Sequence, residues 1–179
     1  MKLLVAYYSH TGDSRVIARQ LELHYNGDLY CIHETQKRSR MGVRFKGASQ
    51  ANREEKSQIE PVSVDPQQYD VIFLVAPIWG TMPAPALHAF IDEANLKGSK
   101  VYGFFLCRSG LGSAEEVFHQ WLEDAGAELQ DVYTIATSEK NAKSFLEGSQ
   151  QIDDILVDLS PKLYPDDAEE FFVIKRPNK

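Results

Sequence analysis

Six consecutive residues, Ser9-His10-Thr11-Gly12-Asp13-Ser14, place three hydroxyls, an imidazole, a carboxylate and a glycine between two patterned stretches. The apolar run MKLLVAYY leads up to them, and Asp13 to His24 follows with Val16, Ile17 and Leu21 at helical spacing. Where a strand ends and a helix begins, the first N–H groups of the helix are unpaired and the positive end of its dipole is exposed. Hydroxyls at Ser9, Thr11 and Ser14 add donors, and Gly12 lets the backbone come close to an anion. His10 can donate to the same anion or face solvent. No lysine is present, so this is not the Gly-x4-Gly-Lys-Ser/Thr phosphate loop. Hydroxyls and amides without lysine suit a monophosphate. The same residues also suit an ordinary capped helix start, since Ser, Thr and Asp all cap well. Asp13 weighs against a phosphate, because a carboxylate repels a dianion. Arg15 can offset that repulsion, or Asp13 can turn away.

Two further stretches carry chemistry. APIWGTMPAP, residues 76–85, has three prolines and a glycine that stiffen a turn, with Trp79 expected at its tip. A tryptophan at a ligand edge can stack on a flat ring; the alternative is a core tryptophan capping the sheet. CRSGLGS, residues 107–113, offers Cys107, Arg108, Ser109, Gly110 and Gly112. Its GLGSAE has two glycines of a dinucleotide fingerprint but Glu115 at the third place. His10, His24, His33, His88 and His119 are scattered without metal-ligand spacing, so no metal site is expected. No side chain stands out as a general acid or base. A receiver-type phosphorylation domain would need an acid pair after the first strand, and YYSH supplies none.

The elements that must position these residues can be read from apolar runs. Leu3 to Tyr8, Leu29 to Ile32, Val71 to Ala76, Val101 to Cys107 and Val132 to Ala136 are continuous rather than alternating, as in parallel strands covered on both faces. Helical patterns fall between most of them. Pro85 to Asn95 carries Leu87, Phe90, Ile91 and Ala94, with Pro85 suited to a first turn. Ser113 to Ala125 carries Val117, Phe118, Trp121 and Leu122, with Ser113 as cap and Gly126 as stop. A last helix is expected over Ser149 to Leu159. Strands alternating with helices give an α/β fold, a three-layer sandwich around a five-stranded parallel sheet. Ligands of such sheets bind beyond the carboxyl ends of the strands, where the three stretches lie. The connection from Glu34 to Tyr69 must cross over, yet its best helical stretch, ASQANREEK, is polar on nearly every face.

Length and charge bound the rest. The 179 residues fit one domain, taken as 1–160, with an extension over 161–179. A chain this long buries about 70% of its unfolded surface and needs no staple. The two cysteines, Cys31 and Cys107, lie in apolar runs and read as buried, reduced thiols of a cytoplasmic protein. No run reaches membrane-span length, and no signal peptide is evident. The net charge of −7 disfavours nucleic acid. Residues 34–60 oppose it, with seven Lys/Arg against four Glu, as a solvated face or a patch for an anionic substrate or acidic partner. The apolar FFVI of the extension can dock on the body or on a second subunit, which keeps a homodimer open.

SHTGDS resembles the phosphate loop of the flavodoxin family, commonly Ser/Thr-x-Thr-Gly-x-Ser/Thr. APIWGTMPAPALHAFID resembles the second flavin loop of flavodoxin-like proteins, a Pro-x-Trp-Gly turn, and FFLCRSGLGSAEEVF falls where the third belongs. The resemblance runs from Met1 to about Leu159 and implies a 2-1-3-4-5 sheet of the short-chain type with bound FMN. It implies Ser9, His10, Thr11, Gly12, Asp13 and Ser14 about the phosphate and Pro77, Ile78, Trp79 and Gly80 at the flavin ring. Cys107, Arg108, Ser109, Gly110 and Gly112 would lie at its pyrimidine side. Electron carriers of the family usually have acids and an aromatic in the third loop; here Arg108, Ser109 and Leu111 stand there. A cation there favours the anionic hydroquinone, and a missing aromatic leaves one flavin face open. Both point to two-electron reduction of a small acceptor such as a quinone by NAD(P)H. The alternatives are a one-electron carrier docking on a redox partner protein and a flavin-free binding module, the latter favoured by Asp13.

Overall fold

The computed structural model describes residues 1–36, 56–108, 110–137 and 142–165. The chain forms two compact units, Met1–Thr137 and Ser138–Lys179. In the first, the strands are β1 (Leu3–Tyr7), β2 (Asp28–Cys31), β3 (Val71–Trp79), β4 (Met82–Pro83), β5 (Lys100–Cys107) and β6 (Glu128–Ala136). Its α-helices are α1 (Asp13–Tyr25), α2 (Pro85–Glu93) and α3 (Ala114–Asp124).

Five strands pair in parallel in the order β2-β1-β3-β5-β6, and the two-residue β4 pairs antiparallel with β3. With β4 set aside this is the 2-1-3-4-5 order. The central strands β1, β3 and β5 are buried nearly throughout, as their continuous apolar runs require. The edge strands β2 and β6 are only partly covered, and β6 alternates along much of its length.

Period-two alternation sorts the side chains to two faces. On one, Tyr25 of α1 meets Phe73 edge-on at 5.6 Å, and Phe73 and Phe104 pack at 4.9 Å. On the other, Phe105 meets Phe118 of α3 at 4.9 Å, within a buried cluster that includes Leu87 and Phe90 of α2. Gly103 permits that second contact: a Cβ there would lie 2.8 Å from the Phe118 ring. Helices on both faces make the three layers.

Several expectations need correction. The segment read as a stiff loop after Ala76 is a β-hairpin: β3 continues to Trp79, turns at Gly80-Thr81 and returns as β4. The proline rings do not block it: Pro77 sits at the last register position of the β3–β5 pairing, opposite Leu106, and Pro83 lies in the short edge strand β4. Ser113 occupies the N-cap position of α3 without a side-chain cap bond; its hydroxyl points to Met82 Sδ at 3.7 Å. Cys107 is buried as expected, but Cys31 is only half-buried on edge strand β2. The described part of the long crossover holds no α-helix. It pairs Glu34 with Ile59 in an isolated antiparallel bridge and makes one 3-10 turn at Pro66–Gln68. Most of ASQANREEK and of the basic 34–60 stretch, and the FFVI tail, lie outside the described residues.

The second unit contributes α4 (Ala142–Leu163), longer at both ends than the expected Ser149–Leu159. Ile152, Leu156 and Leu159 are buried along it, and Lys162 pairs with Asp158 at 2.7 Å. No helix among the described residues is long and apolar enough to cross a membrane.

Candidate functional site

The sheet order reverses between β1 and β3: β2 lies outside β1, while β5 and β6 follow on the far side of β3. In open α/β sheets such a switch point opens a crevice at the carboxyl ends of the strands. Residues 8–12 leave β1 there, and the β3–β4 hairpin rises beside them.

Gly12 is the N-cap residue of α1, with φ of 103° and no side chain to bring to the first N–H groups. An L side chain rarely adopts this angle, and the space a Cβ would point into is open. The Gly12 N–H donates to Ser9 Oγ at 3.1 Å, and the Val16 N–H begins the helix ladder at Gly12 O, 3.2 Å away. Thr11 is exposed and its hydroxyl donates to Asp13 Oδ2 at 2.6 Å. Asp13 has therefore not turned away from the loop; it holds one of the loop's hydroxyls. Ser14 is buried, while Ser9 and His10 are half-buried.

Trp79 is 9% exposed and is not at a loop tip, which is Gly80-Thr81. Its ring lies edge-on to Tyr8 at 5.6 Å and to His10 at 6.3 Å. The first and second stretches thus meet through these three rings. Pro77 and Ile78 are half-buried and Gly80 is exposed. The third stretch joins the second: a Cβ on Gly112 would lie 3.0 Å from Thr81 Cβ. Cys107 is buried at the end of β5, Arg108 is exposed at the bend beyond it, and Gly110 and Gly112 have positive φ. Ser109 lies outside the described residues.

Two residues the sequence reading passed over belong to this edge. The Tyr8 hydroxyl donates to Glu34 Oε2 at 2.7 Å, tying the end of β1 to the segment after β2. The signal was available, since Glu34 follows the second parallel strand and so emerges at the same edge. One layer below, burial pushes the Tyr7 hydroxyl up to about 12, and its bond to the Cys31 thiol adds to this. A separate cavity of about 410 Å³, lined by residues that include His88, Asp92, Trp121 and Asp124, contains none of the candidate residues. Among the described residues no cluster of His, Cys, Asp and Glu could hold a metal ion.

The donor set fits a phosphate monoester in kind: hydroxyls of Ser9 and Thr11, amides of a helix start, and open space over Gly12. The Asp13 carboxylate, within the loop itself, opposes it.

No curated protein matches the chain. A flavoprotein from Lactobacillus acidophilus, solved in complex with FMN, superposes with a TM-score of 0.66 at 19% identity, covering 74% of this chain and 92% of that one. A protein described as a flavoprotein, from Bacteroides eggerthii, gives 0.70 at 23% identity over 89% of this chain and 98% of the other. A general stress protein from Treponema denticola, also in complex with FMN, gives 0.55 at 15% identity over 89% and 98%. These likenesses establish the fold. The family model described as flavodoxin matches residues 2–148, most of the chain, which therefore belongs to the flavodoxin family.

Proposed function

We propose that the chain binds one FMN at the β1/β3 switch point and uses it to pass electron pairs from NAD(P)H to a small acceptor such as a quinone. Ser9, Thr11 and the first amides of α1 would hold the phosphate, with Ser14 beneath the turn and His10 beside it. The hairpin from Pro77 to Gly80 would lie along the flavin ring, and the stretch from Cys107 to Gly112 at its pyrimidine side. When bound, FMN supplies the redox chemistry. The protein's part is to bind, orient and set the local charge.

The observation that carries this reading is the convergence of a lysine-free hydroxyl and amide loop with an aromatic hairpin at a switch point. The preference for electron pairs rests on the third stretch. Arg108 is an exposed cation there, and Leu111 stands where the family's carriers place an aromatic. A positive charge near the flavin stabilises the fully reduced anion. The net charge of −7 keeps a second reading open, a one-electron carrier that docks on a redox protein.

Anaerobic photoreduction of the FMN-loaded protein separates the two. Two-electron chemistry predicts direct bleaching with little accumulation of a one-electron-reduced form. A large, stable blue species would replace this reading with the carrier.

A further inference from the structure

The Thr11–Asp13 bond has a consequence for how this site takes its flavin. Thr11 has a single hydroxyl proton, and at 2.6 Å it is given to Asp13 Oδ2. Asp13 is also the first residue of α1, where the positive end of the helix favours any negative charge. One side chain thus engages two of the attractions that would draw in a phosphate. Gly12 adds none of its own beyond the backbone, because it has no side chain and its N–H is committed to Ser9. Asp13 is exposed rather than locked in a buried network, so an incoming group can displace its bond.

We propose that Asp13 is an internal competitor of the flavin phosphate for the Thr11 hydroxyl and the helix end, and so makes the cofactor exchangeable. The inference rests on the FMN reading above. A phosphate that enters must take the Thr11 proton from Asp13 and sit beside a carboxylate that repels it. The phosphate then contributes less to binding than it would in the same loop without the acid. The preference for FMN over riboflavin is correspondingly small, and FMN leaves readily. Because the carboxylate is exposed, salt weakens the repulsion.

The test is a pair of titrations, FMN and riboflavin, followed by flavin fluorescence on flavin-stripped full-length protein at low and at physiological salt. Asp13→Asn keeps the side chain's size and removes the charge. The inference predicts that this variant binds FMN about tenfold more tightly at low salt and releases it more slowly on dilution, with riboflavin affinity unchanged. Added salt should narrow the gap. Should the asparagine variant fold poorly by circular dichroism, Asp13→Ser, which also removes the charge, carries the same prediction. Unchanged or weaker FMN binding in the variant overturns the inference and leaves the FMN reading intact. Equal tightening toward riboflavin also overturns it, because the effect would not act at the phosphate. If neither protein binds either flavin, the FMN reading fails and the inference with it.

Discussion

Tyr7 shows how a residue just beneath the candidate site is bound to its surroundings. It is 6% exposed at the end of β1, beside the Cys31 thiol of β2. Burial penalises the phenolate, so its hydroxyl is pushed up from 10.0 to about 12. The fold therefore prefers the neutral form. The stability this contributes is fully present below the unfolded value of 10.0 and is lost as pH rises toward 12. Urea unfolding should show the loss, on the order of 1 kcal/mol for this residue by about pH 11. In Tyr7→Phe that part of the slope should vanish. Tyr69, raised by its own burial and by its bond to Asp28, leaves a smaller residual dependence. Identical alkaline slopes in the two proteins would show that Tyr7 is not held neutral by the fold. At the same scale Asp13 was legible as an obstacle, but its partner was not. The Thr11 hydroxyl could have donated to a backbone carbonyl, to solvent or to the carboxylate, and the residue types alone do not decide which lies in reach.

At the scale of elements, Gly103 on β5 sets how closely α3 approaches the sheet. A Cβ there would meet Phe118 at 2.8 Å and Phe105 at 3.1 Å, and both rings are fully buried. Gly103→Ala would gain some stability by stiffening the unfolded chain, by about 0.4–1 kcal/mol. Overpacking of two immobile rings outweighs that, typically by costing about 1–3 kcal/mol. The variant should unfold at lower denaturant, and an unchanged midpoint would mean that α3 shifts freely over the sheet. Strands β1, β3 and β5 were legible as continuous apolar runs, and the three helices of the first unit by their apolar period. The hairpin was not. β4 is two residues long, and prolines at 77 and 83 with Gly80 look like loop punctuation when the strand's geometry is unknown. Ser113 shows the same limit: its type marks a helix start correctly, but tertiary packing against Met82 takes its hydroxyl.

At the scale of the whole molecule, topology places distant stretches together. Residues 9–14, 77–80, 107–108 and 110–112 come from separate parts of the sequence, and the 2-1-3-4-5 order gathers their backbones at one sheet edge. The sequence made that edge legible through the rule on carboxyl ends, and the ring contacts of Trp79 with Tyr8 and His10 supply the detail. The candidate site therefore stands or falls on whether flavin binds there. A ligand that binds only the folded chain stabilises it, by about 2.7 kcal/mol at a concentration one hundred times its Kd. The decisive measurement is an FMN titration of flavin-stripped protein, read by visible absorbance and by melting temperature. The account predicts a saturable spectral change ending at one FMN per chain, with melting raised in step. A flavin spectrum identical to that of free FMN, with no change in melting at millimolar FMN, would contradict it.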